Sequence, residues 1–217
     1  MFNYFIFDLD GTLANTLTDL KNAMNRMLRD LSFPEVDEEG VLKAINHGVV
    51  EFVKGCLPED VRNDEELLNK ALEIYQGYYT KGYLINTAPY PCIPEALEYL
   101  KSKGVKMAVF SNKQDDMTRA ICDKLFPGVF DTVLGGRTGR FHHKPSPEGA
   151  LYIADVLGAD PDEIAFVGDS DVDMETAKNA GMHPIGVSWG YRPPSLLTEL
   201  GAETIICDLD GFKQLIK

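Results

Sequence analysis

Met1-Phe-Asn-Tyr-Phe-Ile-Phe-Asp8-Leu-Asp10-Gly-Thr12 is the stretch whose reading decides the fold. Residues 4–7 form a short apolar run with no polar alternation. Strands buried on both faces of a parallel sheet read this way, whereas half-exposed strands alternate. The run stops at Asp8 and gives way to acid, Leu, acid, Gly, Thr. In open parallel sheets ligands bind beyond the carboxyl ends of the strands, so this is where chemistry is expected. Gly11 permits the tight turn that such a loop needs.

Working outward, further runs of the same kind recur at 105–110, 132–134, 164–167, 184–187 and 204–207. Helical patterns lie between them. Ile93, Ala96, Leu97 and Leu100 form one apolar stripe, which Gly104 stops. Strand and helix in alternation imply a parallel sheet covered on both faces through right-handed crossovers. Residues 15–84 break the rhythm. Leu17, Leu20, Met24, Met27, Leu28 and Leu31 make one stripe there, and Leu67, Leu68, Ala71, Leu72 and Tyr75 another, with no strand between. The chain then returns through Thr87-Ala-Pro-Tyr-Pro-Cys-Ile-Pro94, stiffened by its prolines. The expected class is α/β: a Rossmann-like doubly wound parallel sheet core (residues 1–14 and 85–217) with an inserted all-helical cap domain (residues 15–84).

Composition narrows the function. With 44% hydrophobic and 25% charged residues the 217-residue chain is ordinary globular material. Its 34 acidic and 21 basic residues give a net charge of −13, the wrong sign for a nucleic-acid binder. No apolar run approaches the roughly 20 residues of a membrane span. The apolar first residues lack a basic leader, so a cytoplasmic location is expected. Cys56, Cys92, Cys122 and Cys207 are widely spaced and read as buried free thiols.

Chemistry is suggested at four strand ends. Asp8 and Asp10 can serve as nucleophile, metal ligand or acid–base group. Ser111-Asn112-Lys113 follows the second core run, where a hydroxyl and neighbouring amides can donate to phosphate or cap a helix. Lys144-Pro145 opens a helix after a Gly- and Arg-rich loop. In Gly168-Asp169-Ser-Asp-Val-Asp173 two acids four apart can both face the strand ends, while Asp171 suits a helix start. Asp208-Leu-Asp210-Gly211 echoes the first motif without its Thr and reads as a strand end followed by a helix cap.

Asp-x-Asp-Gly-Thr, Ser-Asn, Lys-Pro and Gly-Asp-Ser-x-x-Asp, in this order, resemble the four motifs of the haloacid-dehalogenase superfamily. Ser111-Asn112-Lys113, Trp189-Gly190-Tyr191, Gly201-Ala202 and the helical insert are similar to its phosphoglycolate phosphatase subgroup. The resemblance implies that Asp8 attacks phosphorus and that Asp10 protonates the leaving oxygen and then activates water. Lys144 and Ser111 would hold the phosphoryl group, with Thr12 and Asn112 supporting the phosphate site. Four carboxylates meeting a phosphate dianion require a counter-ion, since each like-charge contact at 4 Å costs about 4 kcal/mol. Mg²⁺ is therefore expected on Asp8, Asp10 (through its carbonyl) and Asp169, with Asp173 behind them. The cap would read the leaving group, with Asn46, His47, Gly48 and Lys54 as candidates. The implied substrate is a small phosphorylated metabolite resembling 2-phosphoglycolate. A 5'-nucleotidase or inorganic pyrophosphatase shares every core motif, and a non-catalytic phosphate-binding module is the remote alternative. A dehalogenase needs neither metal nor Asp10, and a mutase usually carries an acid at position 168. A monomer or homodimer is expected.

Overall fold

The computed structural model describes residues 1–45, 48–136 and 141–216, which fall into two compact units, Met1–Ala14 with Pro89–Lys217, and Asn15–Ala88. The first is built on a six-stranded sheet of β1 (Tyr4–Phe7), β4 (Lys106–Gln114), β5 (Thr132–Gly136), β6 (Ile164–Gly168), β7 (His183–Val187) and β8 (Thr204–Ile206). The spatial order is β5-β4-β1-β6-β7-β8, and every pairing is parallel. The chain builds outward from β1 on one side and then resumes on the other, so strand order reverses between β1 and β6. Such a switch point opens a crevice at the strands' carboxyl ends. The doubly wound core is thus as expected.

Both faces of this sheet are covered. Ile6 points to the side where Ala108, Phe110, Phe166 and Ile164 meet Ala150, Ile153 and Leu157 of α7 (Glu148–Leu157) and Ala177 of α8 (Asp171–Asn179). Phe5 and Phe7 point the other way and stack at 5.8 Å. Phe7 there lies 6.2 Å from Phe212 of α10 (Leu209–Leu215) and 6.3 Å from Phe130. The period-two alternation of a strand explains the division. Helices α5 (Ile93–Ser102), α6 (Asp115–Leu125) and α9 (Pro194–Glu199) complete the unit. The predicted stripe of α5 is fully buried at Ile93, Ala96, Leu97 and Leu100.

Among the described residues the second unit holds four helices: α1 (Leu17–Asp30), α2 (Glu38–Ala44), α3 (Val49–Cys56) and α4 (Glu65–Gly82). Leu17, Leu20, Met24, Met27 and Leu28 are buried as the stripe predicts, with Asp19 buried among them. On α4 the buried line is Ala71, Tyr75 and Tyr79, four apart, and Leu67 and Leu68 are only partly covered. The chain enters and leaves through β2 (Ala14–Asn15) and β3 (Ala88–Pro89), which pair as a two-stranded sheet. Asp19 braces that end of the unit. Its carboxylate accepts from the Asn86 amide (2.9 Å), the Asn86 side chain (2.7 Å), the Thr87 amide (2.8 Å) and the Thr87 hydroxyl (2.9 Å).

Three local expectations need correction. β4 does not end at Phe110; it continues to Gln114 with an irregular register after Phe110, so Ser111 and Asn112 lie on extended backbone and cap nothing. Lys144 lies ahead of α7 rather than opening it, and it is buried. Cys56 and Cys122 are buried thiols, but Cys92 is half-buried and Cys207 exposed. Asp208 does cap α10, accepting from the Gly211 amide at 3.1 Å. Among the described residues no helix is long and apolar enough to cross a membrane.

Candidate active site

The parallel registers level the key residues. Phe7 pairs with Val109 on one side and Val167 on the other, so Asp8, Phe110 and Gly168 share one height at the mouth of the switch point. The Asp8 amide donates to the Val167 carbonyl at 2.9 Å, which fixes its backbone to β6. Asp8 is 5% exposed, and its carboxylate sits 2.8 Å from the Lys144 ammonium, which also donates to Asp173 at 2.6 Å. Lys144 is held by Asn112 from β4: its amide donates to Asn112 Oδ1 at 2.7 Å, and Asn112 Nδ2 donates to its carbonyl at 3.1 Å. A lysine 32 residues beyond Asn112 in sequence is thereby seated beside Asp8.

Asp173, on the first turn of α8, has its other oxygen accepting from the Ser170 hydroxyl (2.6 Å), the Ser170 amide (3.1 Å) and the Asp169 amide (3.2 Å). The last turn of β6 passes so close that a Cβ on Gly168 would stand 2.3 Å from Asp173 Cβ. Asp169 is fully buried and held from two directions. Thr12 donates its hydroxyl to Oδ1 at 2.8 Å, and the Tyr191 amide donates to Oδ2 at 2.7 Å. Gly11, at φ +83°, and Gly190 complete the clamp, since a Cβ on either would lie 2.3 Å or less from an Asp169 atom. Trp189 Nε1 donates to the Thr12 carbonyl at 3.0 Å and closes the ring of contacts. Asp10, on the loop after β1, is gripped by Lys113 of β4, whose ammonium lies 2.9 Å from both carboxylate oxygens.

Burial and mutual repulsion dominate the electrostatics. Burial raises the Asp8 pKa from 3.8 to about 7; Asp173 and Asp10 push the same way and Lys144 opposes them. Asp169 is raised well above the carboxylate range by burial, then by Asp173 and Asp8, against its bonds from Tyr191 and Thr12. Burial pulls Lys144 down, but Asp173 and Asp8 more than offset it, so it stays charged. Asp8, Asp169 and Asp173 each bring a carboxylate oxygen within 4.8 Å of the others. Three buried carboxylates beside one ammonium leave a charge deficit, and the donors are all hard oxygens. This set fits a divalent cation of the Mg²⁺ type.

A family model described as haloacid dehalogenase-like hydrolase matches residues 5–187, a span that contains Asp8, Asp10, Lys113, Lys144, Asp169 and Asp173. The chain belongs to that family. Among its relatives, the phosphoglycolate phosphatase of Aquifex aeolicus is 37% identical over 86% of this chain and 84% of its own length. That of Nitrosospira multiformis is 31% identical over 98% and 94%. A solved structure from Lactobacillus delbrueckii subsp. bulgaricus, provisionally named a phosphoglycolate phosphatase, superimposes with a TM-score of 0.92 at 30% identity, covering 99% of this chain and 98% of that one.

In this hydrolase the core residues picked out from sequence converge. Thr12 donates its hydroxyl to Asp169, and Asn112 engages the Lys144 backbone through both ends of its amide. Ser111 is buried and accepts from the Lys113 amide at 3.3 Å. Gly48 and the half-buried Lys54 belong to the helical unit, Gly48 at φ +87° just before α3, while Asn46 and His47 lie outside the described residues. Sequence reasoning missed two things. Lys113 was quoted only as part of a motif, although a lysine directly after a site Ser-Asn pair signals a cation at the same strand end. Trp189-Gly190-Tyr191 was noted only for likeness, yet it builds the wall behind Asp169.

Proposed function

We propose that this hydrolase is a Mg²⁺-dependent phosphomonoesterase that releases inorganic phosphate from a small phosphorylated acid of the 2-phosphoglycolate kind, through a phosphorylated Asp8. The observation that carries this reading is the buried cluster of Asp8, Asp169, Asp173 and Lys144 at the switch point. The names of the relatives support the substrate class.

In this mechanism an Asp8 oxygen attacks phosphorus, the bond from phosphorus to the leaving oxygen breaks, and Asp10 gives that oxygen its proton. Asp10 then takes a proton from water, the water oxygen attacks phosphorus, and the bond to Asp8 breaks. Lys144 neutralises charge on the phosphoryl oxygens beside Asp8 and is kept aligned by Asp173 and Asn112. Asp8, the Asp10 carbonyl and Asp169 would hold Mg²⁺, which supplies charge neutralisation at the phosphate when bound. The lack of room at position 168 favours hydrolysis over a mutase, because the Asp173 side chain occupies the space that an acid there would need.

The test is phosphate release from a panel of phosphomonoesters with Mg²⁺, paired with mass analysis of acid-quenched enzyme. Hydrolysis of 2-phosphoglycolate with a phosphate adduct on the Asp8 peptide is expected. Turnover without any such adduct, or full turnover in EDTA, would contradict the reading.

A further inference from the structure

The ion pair between Lys113 and Asp10 is not used by the mechanism above. Both side chains are largely covered, at 6% and 13% exposure, and the contact is symmetrical at 2.9 Å to each oxygen. A lysine in the open would not hold so regular a geometry, because rotamer entropy opposes it. Here its backbone is fixed at the irregular end of β4, where Thr118 donates its hydroxyl to the Lys113 carbonyl at 3.1 Å. Irregular strand ends commonly serve to re-aim a side chain beside a site.

The position of Asp10 locates the ammonium relative to the substrate. If Asp10 protonates the leaving oxygen, it must come within about 3 Å of it. Lys113 Nζ, 2.9 Å from Asp10, then stands no more than about 6 Å from that oxygen. A carboxylate on the carbon that bears the leaving oxygen lies two bonds beyond it, at about 1.5 Å per bond. A substrate oriented with that carboxylate toward β4 can therefore bring it within hydrogen-bonding range of Lys113. Lys144 is already engaged by Asp8 and Asp173. An ammonium has three protons and can be shared between two carboxylates.

We infer that Lys113 is a specificity-determining residue that reads an anionic group next to the ester carbon of the substrate, while it holds Asp10 in place. This rests on the proposed function and deepens it: the core itself selects esters of 2-hydroxy acids, before any contribution from the helical unit. It also explains how a protein of net charge −13 accepts a compact substrate carrying both a phosphate and a carboxylate.

The experiment compares 2-phosphoglycolate with 2-hydroxyethyl phosphate, which has a similar skeleton and no carboxylate, in wild type, Lys113→Met and Lys113→Arg, all with saturating Mg²⁺. Both esters slow in Lys113→Met because Asp10 loses its partner. The 2-phosphoglycolate kcat/KM is expected to fall about 10- to 100-fold further, the value of a hydrogen bond to a charged group, largely through KM. Lys113→Arg should keep most of the preference. In wild type alone, glycolate should inhibit at least about tenfold more tightly than glycolamide, by the same charged hydrogen bond. Equal losses on the two esters, or equal inhibition by glycolate and glycolamide, overturn the assignment. A wild type that hydrolyses neither ester overturns the proposed function, and the assignment with it.

Discussion

Replacing Asp8 with asparagine should abolish turnover and make the metal-free protein more stable at neutral and alkaline pH. Asp8 is buried with Asp169 and Asp173, and its pKa stands at about 7 against an ordinary 3.8, through burial first and then Asp173 and Asp10. The partner Lys144 is already included in that net effect. A raised folded-state pKa means that the native state holds the proton longer than the unfolded chain. The group's stabilising contribution is therefore complete below pH 3.8 and is lost as pH rises to about 7. Each pH unit in that window removes about 1.36 kcal/mol, so the penalty is on the order of 1 to 2 kcal/mol at pH 5 and about 4 kcal/mol at pH 8. Asparagine carries no charge and escapes it. Urea midpoints in EDTA at pH 5 and pH 8 would measure the gap, which should widen by about 3 kcal/mol between them. At pH 8 this corresponds to a melting temperature higher by roughly 8 to 15 °C for a chain of this length. Saturating Mg²⁺ should narrow the gap, because binding at 100 times Kd returns about 2.7 kcal/mol to the wild type. Turnover by the variant should fall below about a hundredth, a barrier increase above about 2.7 kcal/mol. A variant less stable than wild type at pH 8, or a gap that does not change with pH, would refute the account of the buried charge.

Two further substitutions probe separate parts. Gly190→Ala places a methyl 2.1 Å from Asp169 Cβ, so the carboxylate must shift; the Mg²⁺ concentration for half-maximal activity should rise at least about tenfold, since Mg²⁺ demands near-ideal geometry, and the Mg²⁺-induced rise in melting temperature should shrink. An unchanged Mg²⁺ requirement would mean that the 189–191 wall does not position Asp169. Asp19→Ala removes the buried acceptor of the Asn86 and Thr87 amides and should cost about 2–4 kcal/mol in urea unfolding, with Asp19→Asn losing less.

What was legible in the sequence, and what was not, follows from the range of the interactions. Phe5-Ile6-Phe7 and 164–167 are uniformly apolar because both faces of these strands are buried, and that local pattern revealed the parallel sheet. Asp8, Asp10 and Asp169 stood out because charged residues at the ends of such runs have few structural reasons to be there, whereas Lys144, after a Gly- and Arg-rich loop, stood out only as one of four motifs in order. The end of β4 was misread because Ser-Asn suits a helix cap, whereas pairing with β5 at Gln114 and the long-range bonds of Asn112 to Lys144 go with an extended segment. The clamp on Asp169 joins positions 11–12 to 189–191 across most of the chain, and no local pattern announces it. The burial of Asp19 was hidden for the same reason: its partners are 67 and 68 residues away.

The brace at Asp19 has a consequence for how such proteins diversify. Because the helical unit begins and ends on one small ribbon, with Asn86 and Thr87 tied back to α1, its two ends are already brought together. A segment with adjacent ends can be lengthened, shortened or exchanged at little topological expense, since loop closure grows only logarithmically with length. The helical unit is in that sense an interchangeable part: a different helical bundle can be grafted between positions 15 and 88 with the sheet unit that holds Asp8, Lys144 and Asp169 left unaltered.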